Sequence, residues 1–266
     1  MKRLNGLRLA CLVLGFGFLY LPILSVIVYS FNESRLVTVW SGWSTKWYGA
    51  LLENQQLLGA AWLSVKIGAL TATLAVVLGT LAAYSLVRFK HLKGQAQFEL
   101  STAAPLVMPE IIIGLASLLL FVSMEKLFGW PAGRGQTTIV IAHTVFAMAY
   151  VTVVVRSRLA HVDSSIEEAA LDLGARPVTV FFTITLPTIA PAIIAGWLLA
   201  FTLSVDDLVV ASFTSGPGST TLPMVVYSSV RLGVSPEINA LATVMIALVS
   251  VLVVIAGLVL ARSKEK

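Results

Sequence analysis

The stretch SSIEEAALDLGARPVTVFFTITLP, residues 164–187, decides how the whole chain is interpreted. It is the core of a polar segment, residues 157–188, that separates two strongly apolar segments. Its spaced elements are, in order, Glu168-Ala169-Ala170, three residues, Gly174, nine residues, Ile184, one residue and Leu186-Pro187. This order predicts a short helix, a glycine turn, and a return of the chain into an apolar environment.

The first half of this stretch predicts a helix over residues 166–173. The serines at 164–165 can cap its N-terminus, and Glu167 and Glu168 lie in the first turn, where acidic side chains complement the helix dipole. Gly174 follows the last turn, and glycine readily adopts the left-handed conformation that often ends a helix. We therefore expect a rigid helix with a sharp turn behind it.

The predicted helix has two distinct faces, because residues three and four positions apart share a side. The apolar face contains Ile166, Ala169, Ala170 and Leu173. A second face contains Glu168 and Asp172, which are four residues apart. Such a helix is suited to docking on another protein, although an ordinary amphipathic helix at a membrane surface has the same pattern.

The composition excludes a soluble globular protein. Of 266 residues, 58% are hydrophobic and 12% charged, and the mean hydropathy is +0.91. Soluble domains contain about one quarter charged residues. The single cysteine, Cys11, lies in an apolar run and cannot form an internal disulfide. The three histidines, His91, His143 and His161, are scattered, so we expect no metal site.

Apolar segments of about 20 residues predict an all-α integral membrane protein. We place six transmembrane helices at about 9–31, 61–87, 100–124, 137–156, 190–213 and 240–261. The first run is too long for a signal peptide and lacks a small-residue cleavage site, so we expect it to remain as a helix. We find no internal repeat and no appended soluble domain, which makes residues 1–266 a single transmembrane domain.

The distribution of lysine and arginine predicts that both termini are cytoplasmic. With the N-terminus inside, the inner segments hold most of the basic residues: Lys2, Arg3, Arg8, Arg88, Lys90, Lys93, Arg156, Arg158, Arg176, Arg262, Lys264 and Lys266. The outer loops hold fewer: Arg35, Lys46, Lys126, Arg134 and Arg231. The net charge of +5 therefore reflects membrane topology, and we expect no binding of nucleic acid.

Three carboxylates lie within predicted spans, where a charge costs about 2.5–3.5 kcal/mol on insertion scales. Glu110 follows Pro105 and Pro109, which are expected to interrupt the third span. Asp206 and Asp207 lie in the fifth span. Adjacent helical residues point about 100° apart, so we expect one aspartate to face a pathway and the other to pair with a neighbour. Acidic side chains on a pathway imply a cationic solute, although purely structural pairing explains them equally well.

The sequence contains no glycine-rich phosphate loop of the Walker type and no recognisable catalytic arrangement. We therefore expect no enzyme, no catalytic residue and no cofactor bound by this chain itself. A proton-coupled secondary transporter of organic cations would also suit six spans and buried carboxylates. That alternative leaves the polar segment 157–188 unexplained.

The spaced pattern in residues 157–188 resembles the cytoplasmic loop of binding-protein-dependent ABC importer permeases. The resemblance implies a type I ABC importer permease fold, in the bacterial inner membrane, with a coupling helix seated in a partner ATPase that carries ATP and Mg²⁺. It implies that Glu168 pairs with a basic group of the ATPase and that Gly174 forms the turn behind it. The implied coupling residues are Glu167, Glu168, Ala169, Ala170, Asp172, Gly174, Leu186 and Pro187.

Further stretches, which together run over essentially the whole chain, resemble the permease subunits of bacterial polyamine importers. They are Ser30-Phe31-Asn32-Glu33-Ser34, Trp43-Ser44-Thr45-Lys46-Trp47-Tyr48, Pro105-Leu106-Val107-Met108-Pro109-Glu110, Gly129-Trp130-Pro131-Ala132, Ser204-Val205-Asp206-Asp207-Leu208, Ser215-Gly216-Pro217-Gly218 and Gly233-Val234-Ser235-Pro236-Glu237-Ile238-Asn239-Ala240. The resemblance favours the putrescine branch, with spermidine or ferric iron permeases as alternatives. It implies three kinds of partner: a second, non-identical permease, two ATPase copies and a periplasmic polyamine-binding protein.

The resemblance and the electrostatics together give a predicted substrate pathway. Asp206, Asp207 and Glu110 can compensate the charge of a dication. The rings of Trp47 and Tyr227 can add cation–π attraction, although packing or placement at the membrane interface explains both rings as well.

Overall fold

The computed structural model describes residues 6–36, 39–89, 93–232, 236–247 and 250–251. These residues are almost entirely helical. In chain order the helices are α1 (Gly6–Tyr29), α2 (Lys46–Glu53), α3 (Gln55–Arg88), α4 (Gln95–Val107), α5 (Glu110–Phe128), α6 (Gln136–Leu159), α7 (Ser165–Asp172), α8 (Pro177–Val180), α9 (Leu186–Asp206), α10 (Val209–Thr214), α11 (Leu222–Leu232) and α12 (Pro236–Ala247). A π-helical turn, Phe181–Thr185, joins α8 to α9.

Within the described part of the chain, five helical segments are long and apolar enough to cross a membrane. They are Arg8–Tyr29, Gln55–Arg88, Glu110–Phe128, Gln136–Leu159 and Pro177–Asp206. Three of the predicted spans, about 9–31, 61–87 and 137–156, thus coincide with single long helices. The predicted sixth span is described only in part, as α12, because residues 248–249 and 252–261 lie outside the described residues. The basic residues Lys2, Arg3, Lys90, Arg262, Lys264 and Lys266 and part of the stretch 233–240 also lie outside them.

Two of the predicted spans are interrupted. The third, about 100–124, is divided between α4 and α5 at Met108 and Pro109, as the prolines predicted. The predicted fifth span, about 190–213, is divided as well, and this division was not expected from the sequence. Its helix ends at Asp206, residues 207–208 leave the helical path, and α10 begins at Val209. The reason is a long-range pairing of Asp207, described below.

The chain divides into two compact units, residues 1–58 with 226–266, and residues 59–225. Helix α6 is the centre of the second unit, since most of its apolar side chains are buried. It packs against α4, α5, α9 and α10. The core around it combines large side chains of α6 with small ones of its neighbours, including Ala72, Ala75 and Ala200. Small residues let membrane helices approach closely.

Two glycines bring the neighbouring helices into contact with Val151 of α6. A Cβ atom at Gly79 of α3 would lie 2.8 Å from Val151 Cγ1 and 3.1 Å from the carbonyl oxygen of Met148. A Cβ atom at Gly196 of α9 would lie 3.3 Å from Val151 Cγ1. The packing of α3 on α6 therefore requires the absence of a side chain at position 79.

In the first unit, the loop after α1 folds around the buried side chain of Asn32. Its amide nitrogen donates to the carbonyl of Val39 at 2.8 Å, and its amide oxygen accepts from the backbone of Ser34 and Ser41. The indole of Trp47 donates to the Asn32 carbonyl at 2.7 Å. Asn32 thus satisfies the polar groups of a loop that has little regular secondary structure.

We expect Gly79→Ala to destabilise the protein, because the added methyl group meets the Met148 backbone as well as a valine side chain. Overpacking of this kind costs about 1–3 kcal/mol. The measurement is the thermal unfolding midpoint of the purified protein in detergent. Gly59→Ala is the matched control on the same helix, since a Cβ atom there has open space. Equal midpoints for the two variants would contradict the close contact of α3 and α6.

Candidate functional site

A cavity of about 510 Å³ opens where the two interrupted helices meet α6. Its walls include all three of the carboxylates singled out in the sequence, Glu110, Asp206 and Asp207. Phe146 and Tyr150 of α6 contribute aromatic rings. The structure therefore brings together, in one cavity, acidic residues that are separated by almost 100 positions in the chain.

The first side of the cavity is built by a proline break. Helix α4 ends at Val107, Met108 is extended with ψ of 135°, and Pro109 precedes the first residue of α5. Proline has no backbone N–H, so no donor is left without a partner at this position. Glu110 is the first residue of α5, where the positive end of the helix dipole stabilises a carboxylate.

The second side of the cavity is formed by the break between α9 and α10, which contains neither glycine nor proline. Asp207 leaves the helical conformation with ψ of 125°. Its carboxylate accepts hydrogen bonds from the backbone of Ala211 at 2.8 Å and of Val210 at 3.4 Å. It thereby satisfies two of the backbone donors that are exposed at the start of α10.

His143 of α6 holds the same carboxylate from the other side. Its Nε2 lies 3.1 Å from Asp207 Oδ1, and its Nδ1 lies 2.7 Å from the hydroxyl oxygen of Ser204. The imidazole is fully buried. A proton on Nε2 suits the acceptor-only carboxylate, and Nδ1 can then accept from the Ser204 hydroxyl. The sequence analysis missed His143, although an ionisable residue inside a span is itself a signal of a site.

The two neighbouring aspartates have different environments. Asp207 is buried and engaged with His143 and with α10, whereas the side chain of Asp206 is exposed at the cavity. Asp206 and Glu110 are thus the two carboxylates that remain accessible to a solute. The difference arises because the helix ends between the two aspartates.

Trp47 and Tyr227 belong to the first unit, and each ring contacts a cation of its own unit. Lys46 Nζ lies 4.9 Å from the centre of the Trp47 ring, and the Arg231 guanidinium lies 4.7 Å from that of Tyr227. The lining of the cavity comes from residues 105–209. The assignment of these two rings to a substrate pathway therefore stays a prediction.

The second group of predicted site residues forms the helix α7 and the turn behind it. The helix begins one residue before the predicted start and ends one residue before the predicted end. Ser164 makes no side-chain capping hydrogen bond, and the hydroxyl of Ser165 bonds to Asp163. Asp163 also accepts from the backbone of Ser165 at 2.9 Å, and these hydrogen bonds lower the pKa of the Asp163 carboxyl.

Gly174 ends the helix in the left-handed conformation, with φ of +87°. The backbone N–H of Ala175 donates to the carbonyl of Ala170 at 3.0 Å, and that of Gly174 donates to Leu171 at 2.9 Å. These two bonds define a Schellman motif. The positive φ confirms the predicted left-handed conformation of the turn. A residue with a side chain would be strained at position 174.

Helix α7 presents one acidic residue outward and one inward. Glu168 is exposed, together with Ile166 at 55% and Leu173 at 89% exposure, and Ala169 lies on the same surface. Glu167 is buried, at 7% exposure. Ile166 and Leu173 are large apolar side chains, so the outward surface has the composition of a docking site.

Leu186 and Pro187 lie where the π-helical turn enters α9, as the first two residues of that helix. With Phe181 and Phe182 they line an apolar groove of about 610 Å³. They directly follow the π-helical turn, which contacts α7.

Comparison with known proteins identifies a family. Residues 75–266 match the family described as "Binding-protein-dependent transport system inner membrane component". The chain is 58% identical over 259 residues to the putrescine transport system permease protein PotI of Escherichia coli strain K12, covering 97% of this chain and 92% of PotI. It is 40% identical over 251 residues to the spermidine/putrescine transport system permease protein PotC of the same strain, covering 94% and 92%.

Solved structures show the same fold. A bacterial ABC transporter involved in the import of the acidic polysaccharide alginate contains a similar chain, with a TM-score of 0.71, 16% identity, and coverage of 96% of this chain and 94% of the other. The inward-facing MetNI methionine ABC transporter gives a TM-score of 0.62 at 16% identity, covering 78% of this chain and 95% of the other. Identities this low support the fold alone.

We expect His143→Phe to destabilise the protein strongly, because it leaves the buried Asp207 carboxylate without its partner. Leaving a buried polar group without its partner costs about 1–3 kcal/mol, and more when the group is charged. Adding Asp207→Asn removes the charge but keeps an acceptor for the start of α10, so the double variant should recover most of the loss. The measurement is the thermal midpoint of the purified complex.

The control is Thr144→Val, which changes the adjacent buried residue, whose hydroxyl donates to Val140 of the same helix at 2.7 Å. This variant should change the midpoint only slightly. A His143→Phe variant as stable as Thr144→Val, or a double variant no better than the single one, would contradict the pairing.

Proposed function

The chain belongs to the family of binding-protein-dependent transport system inner membrane components, and from this premise we propose that it is a permease subunit of an ATP-driven polyamine importer. In this proposal it forms half of the pore and moves putrescine from the periplasm to the cytoplasm. The observation that carries the proposal is the cavity in which Glu110 and Asp206 are accessible side by side with aromatic rings. The names of the relatives PotI and PotC support the same class of solute.

The chemistry of the cavity fits a diamine. Putrescine bears an ammonium group at each end at neutral pH, so it requires compensating negative charge at two points. Glu110 and Asp206 offer two accessible carboxylates. The C-terminal ends of α4 and α9 also adjoin the cavity, since Leu106 and Asp206 line it, and the C-terminal ends of helices favour cations. Tyr150 and Phe146 can contact the ammonium groups or the four-carbon chain.

The proposed partners follow from the family. The energy would come from two copies of an ATPase subunit that bind ATP and Mg²⁺, and a second, non-identical permease would complete the pore. A periplasmic polyamine-binding protein would deliver the solute. On this chain, the outward surface of α7 around Glu168, Ala169 and Asp172 is proposed to contact the ATPase, with Gly174 and Leu186-Pro187 fixing its orientation.

The proposed topology has six spans with both termini in the cytoplasm. The excess of lysine and arginine in the inner segments supports it. The ion pair between Arg88 and Glu167 also supports it, because it joins the end of α3 to α7, which the topology assigns to the same side of the membrane. The pair of Arg156 with Glu99 joins two further inner segments in the same way.

We expect Glu110→Gln and Asp206→Asn each to lower putrescine uptake about tenfold, the effect of losing one charge-assisted interaction worth about 1.5 kcal/mol. Uptake of labelled putrescine is measured in cells that lack their own polyamine importers and express the complete system. Membrane levels of each variant are measured in parallel.

The control is Glu53→Gln, which neutralises an exposed carboxylate at the end of α2 that does not line the cavity. Its uptake should be normal. Competition by spermidine distinguishes a putrescine-selective importer from a general polyamine importer. Normal uptake by both cavity variants would contradict charge compensation, and absence of uptake with the intact chain would overturn the polyamine proposal.

We expect Glu168→Ala and Gly174→Val to uncouple ATP hydrolysis from transport while the chain remains inserted. Valine at a positive φ costs about 1–2 kcal/mol and disturbs the turn behind α7. The measurement is uptake and ATP hydrolysis by the reconstituted complex. Gly174→Asn is the control, because asparagine tolerates the left-handed conformation. Normal transport by Glu168→Ala and Gly174→Val would contradict the role of α7.

A further inference from the structure

A buried ion pair ties α7 to the end of α3. Arg88 is the last residue of α3, and its Nη2 donates to Glu167 Oε1 at 3.0 Å. The Nε atom of Arg88 lies 2.9 Å from Glu167 Oε2. Each carboxylate oxygen thus lies close to a guanidinium nitrogen, and Nη2 makes a charge-assisted hydrogen bond. Neither side chain has more than a small exposed fraction.

The same carboxylate also contacts the start of α9. The hydroxyl of Thr185, which is fully buried, donates to Glu167 Oε1 at 2.8 Å. Thr185 is the last residue of the π-helical turn that leads into α9. Glu167 therefore joins three elements, namely α7, the end of α3 and the beginning of α9. We call Arg88, Glu167 and Thr185 the inner joint.

Aromatic packing stabilises the surroundings of the inner joint. The ring of Tyr84 on α3 lies 5.0 Å from that of Phe181 in the π-helical turn, in an edge-to-face arrangement. It also lies 5.8 Å from the ring of Phe89. Such contacts add about 0.5–1.5 kcal/mol each beyond burial. The end of α3 and the start of α9 are thus held together by packing as well as by the carboxylate.

Two adjacent residues of α7, Glu167 and Glu168, therefore have different surroundings. Glu168 faces outward with the exposed apolar side chains, and Glu167 faces inward to the joint. Among the described residues, the ion pair that joins α7 to the membrane helices is that of Glu167 with Arg88, so a force applied to the outward surface of α7 can pass through it. Helix α9 extends about 30 Å from Thr185 to Asp206 at 1.5 Å per residue. Its far end lines the acidic cavity.

We propose that Arg88 and Glu167 are positioning residues for coupling, through which movement of α7 is transmitted to α9 and so to the cavity. The proposal rests on the proposed function, since it takes α7 as the element moved by the ATPase. The inner joint neither touches the solute nor contacts the ATPase. It makes α7 and the start of α9 move as one body.

The test uses the complete reconstituted importer with Cys11→Ser and Leu203→Cys in this chain, because Leu203 lines the cavity. The reactivity of Cys at position 203 toward a water-soluble maleimide is measured with and without ATP. ATP hydrolysis and putrescine uptake are measured on the same preparation. The variants are Glu167→Gln, Arg88→Gln, and the charge swap Arg88→Glu with Glu167→Arg.

We expect ATP to change the reactivity at position 203 in the parent, and each single variant to reduce that change about fivefold or more, the range of a typical coupling energy. Each single variant should still assemble with the ATPase and hydrolyse ATP. The charge swap should recover part of the response, which a merely structural loss would not.

The matched control is Glu99→Gln, which removes the carboxylate of the ion pair between Arg156 and Glu99. That pair is 41% and 46% exposed, and exposed pairs contribute little. The proposed role of the inner joint would be overturned if ATP changed the reactivity at position 203 as much in Glu167→Gln and Arg88→Gln as in the parent. It would also be overturned if Glu99→Gln lost as much of this change as they do. If the parent responds to ATP but imports no putrescine, the proposal of putrescine as the substrate is contradicted. The comparison of reactivities then still tests the role of the inner joint.

Discussion

A hydrocarbon environment supplies no water to unpaired backbone groups, so a helix can end within a membrane only where protein atoms satisfy those groups. Asp207 meets this condition at the end of α9. Its carboxylate accepts from the first backbone donors of α10, and Nε2 of the buried His143 lies 3.1 Å from its Oδ1. The break in α9, the separate helix α10 and the exposure of Asp206 at the cavity all depend on this buried contact.

On the opposite wall of the cavity, a proline prevents an unpaired backbone donor at the helix break. Pro109 has no backbone N–H and therefore needs no acceptor, and Glu110 begins the new helix where its charge is favoured. Helix α10 packs against α5, and both pack against α6. The acidic cavity is therefore the meeting point of two broken helices on one continuous helix, and three carboxylates line it.

How far the sequence could predict this structure depends on the range of each interaction. The turn at Gly174 and the interruption at Pro109 are local, and the residues alone identified both. The break at Asp207 was missed because residues 206–208 contain no local signal for it. His143, which makes the break possible, is 64 positions away. The Arg88–Glu167 pair also escaped prediction, since Arg88 was counted only as a topology charge.

Helix α9 connects the two sites because both of its ends are fixed by carboxylates. At its start, Glu167 accepts from Thr185, and just beyond its end Asp207 is held by His143 of α6. Between these ends α9 packs on α6 through small residues, Gly196 and Ala200, and through large ones such as Ile189. Because α9 is one continuous helix from Leu186 to Asp206, a displacement of its start also displaces its far end, beside the cavity. A displacement that enters at the inner joint consequently acts on the contact that sets the direction of Asp206.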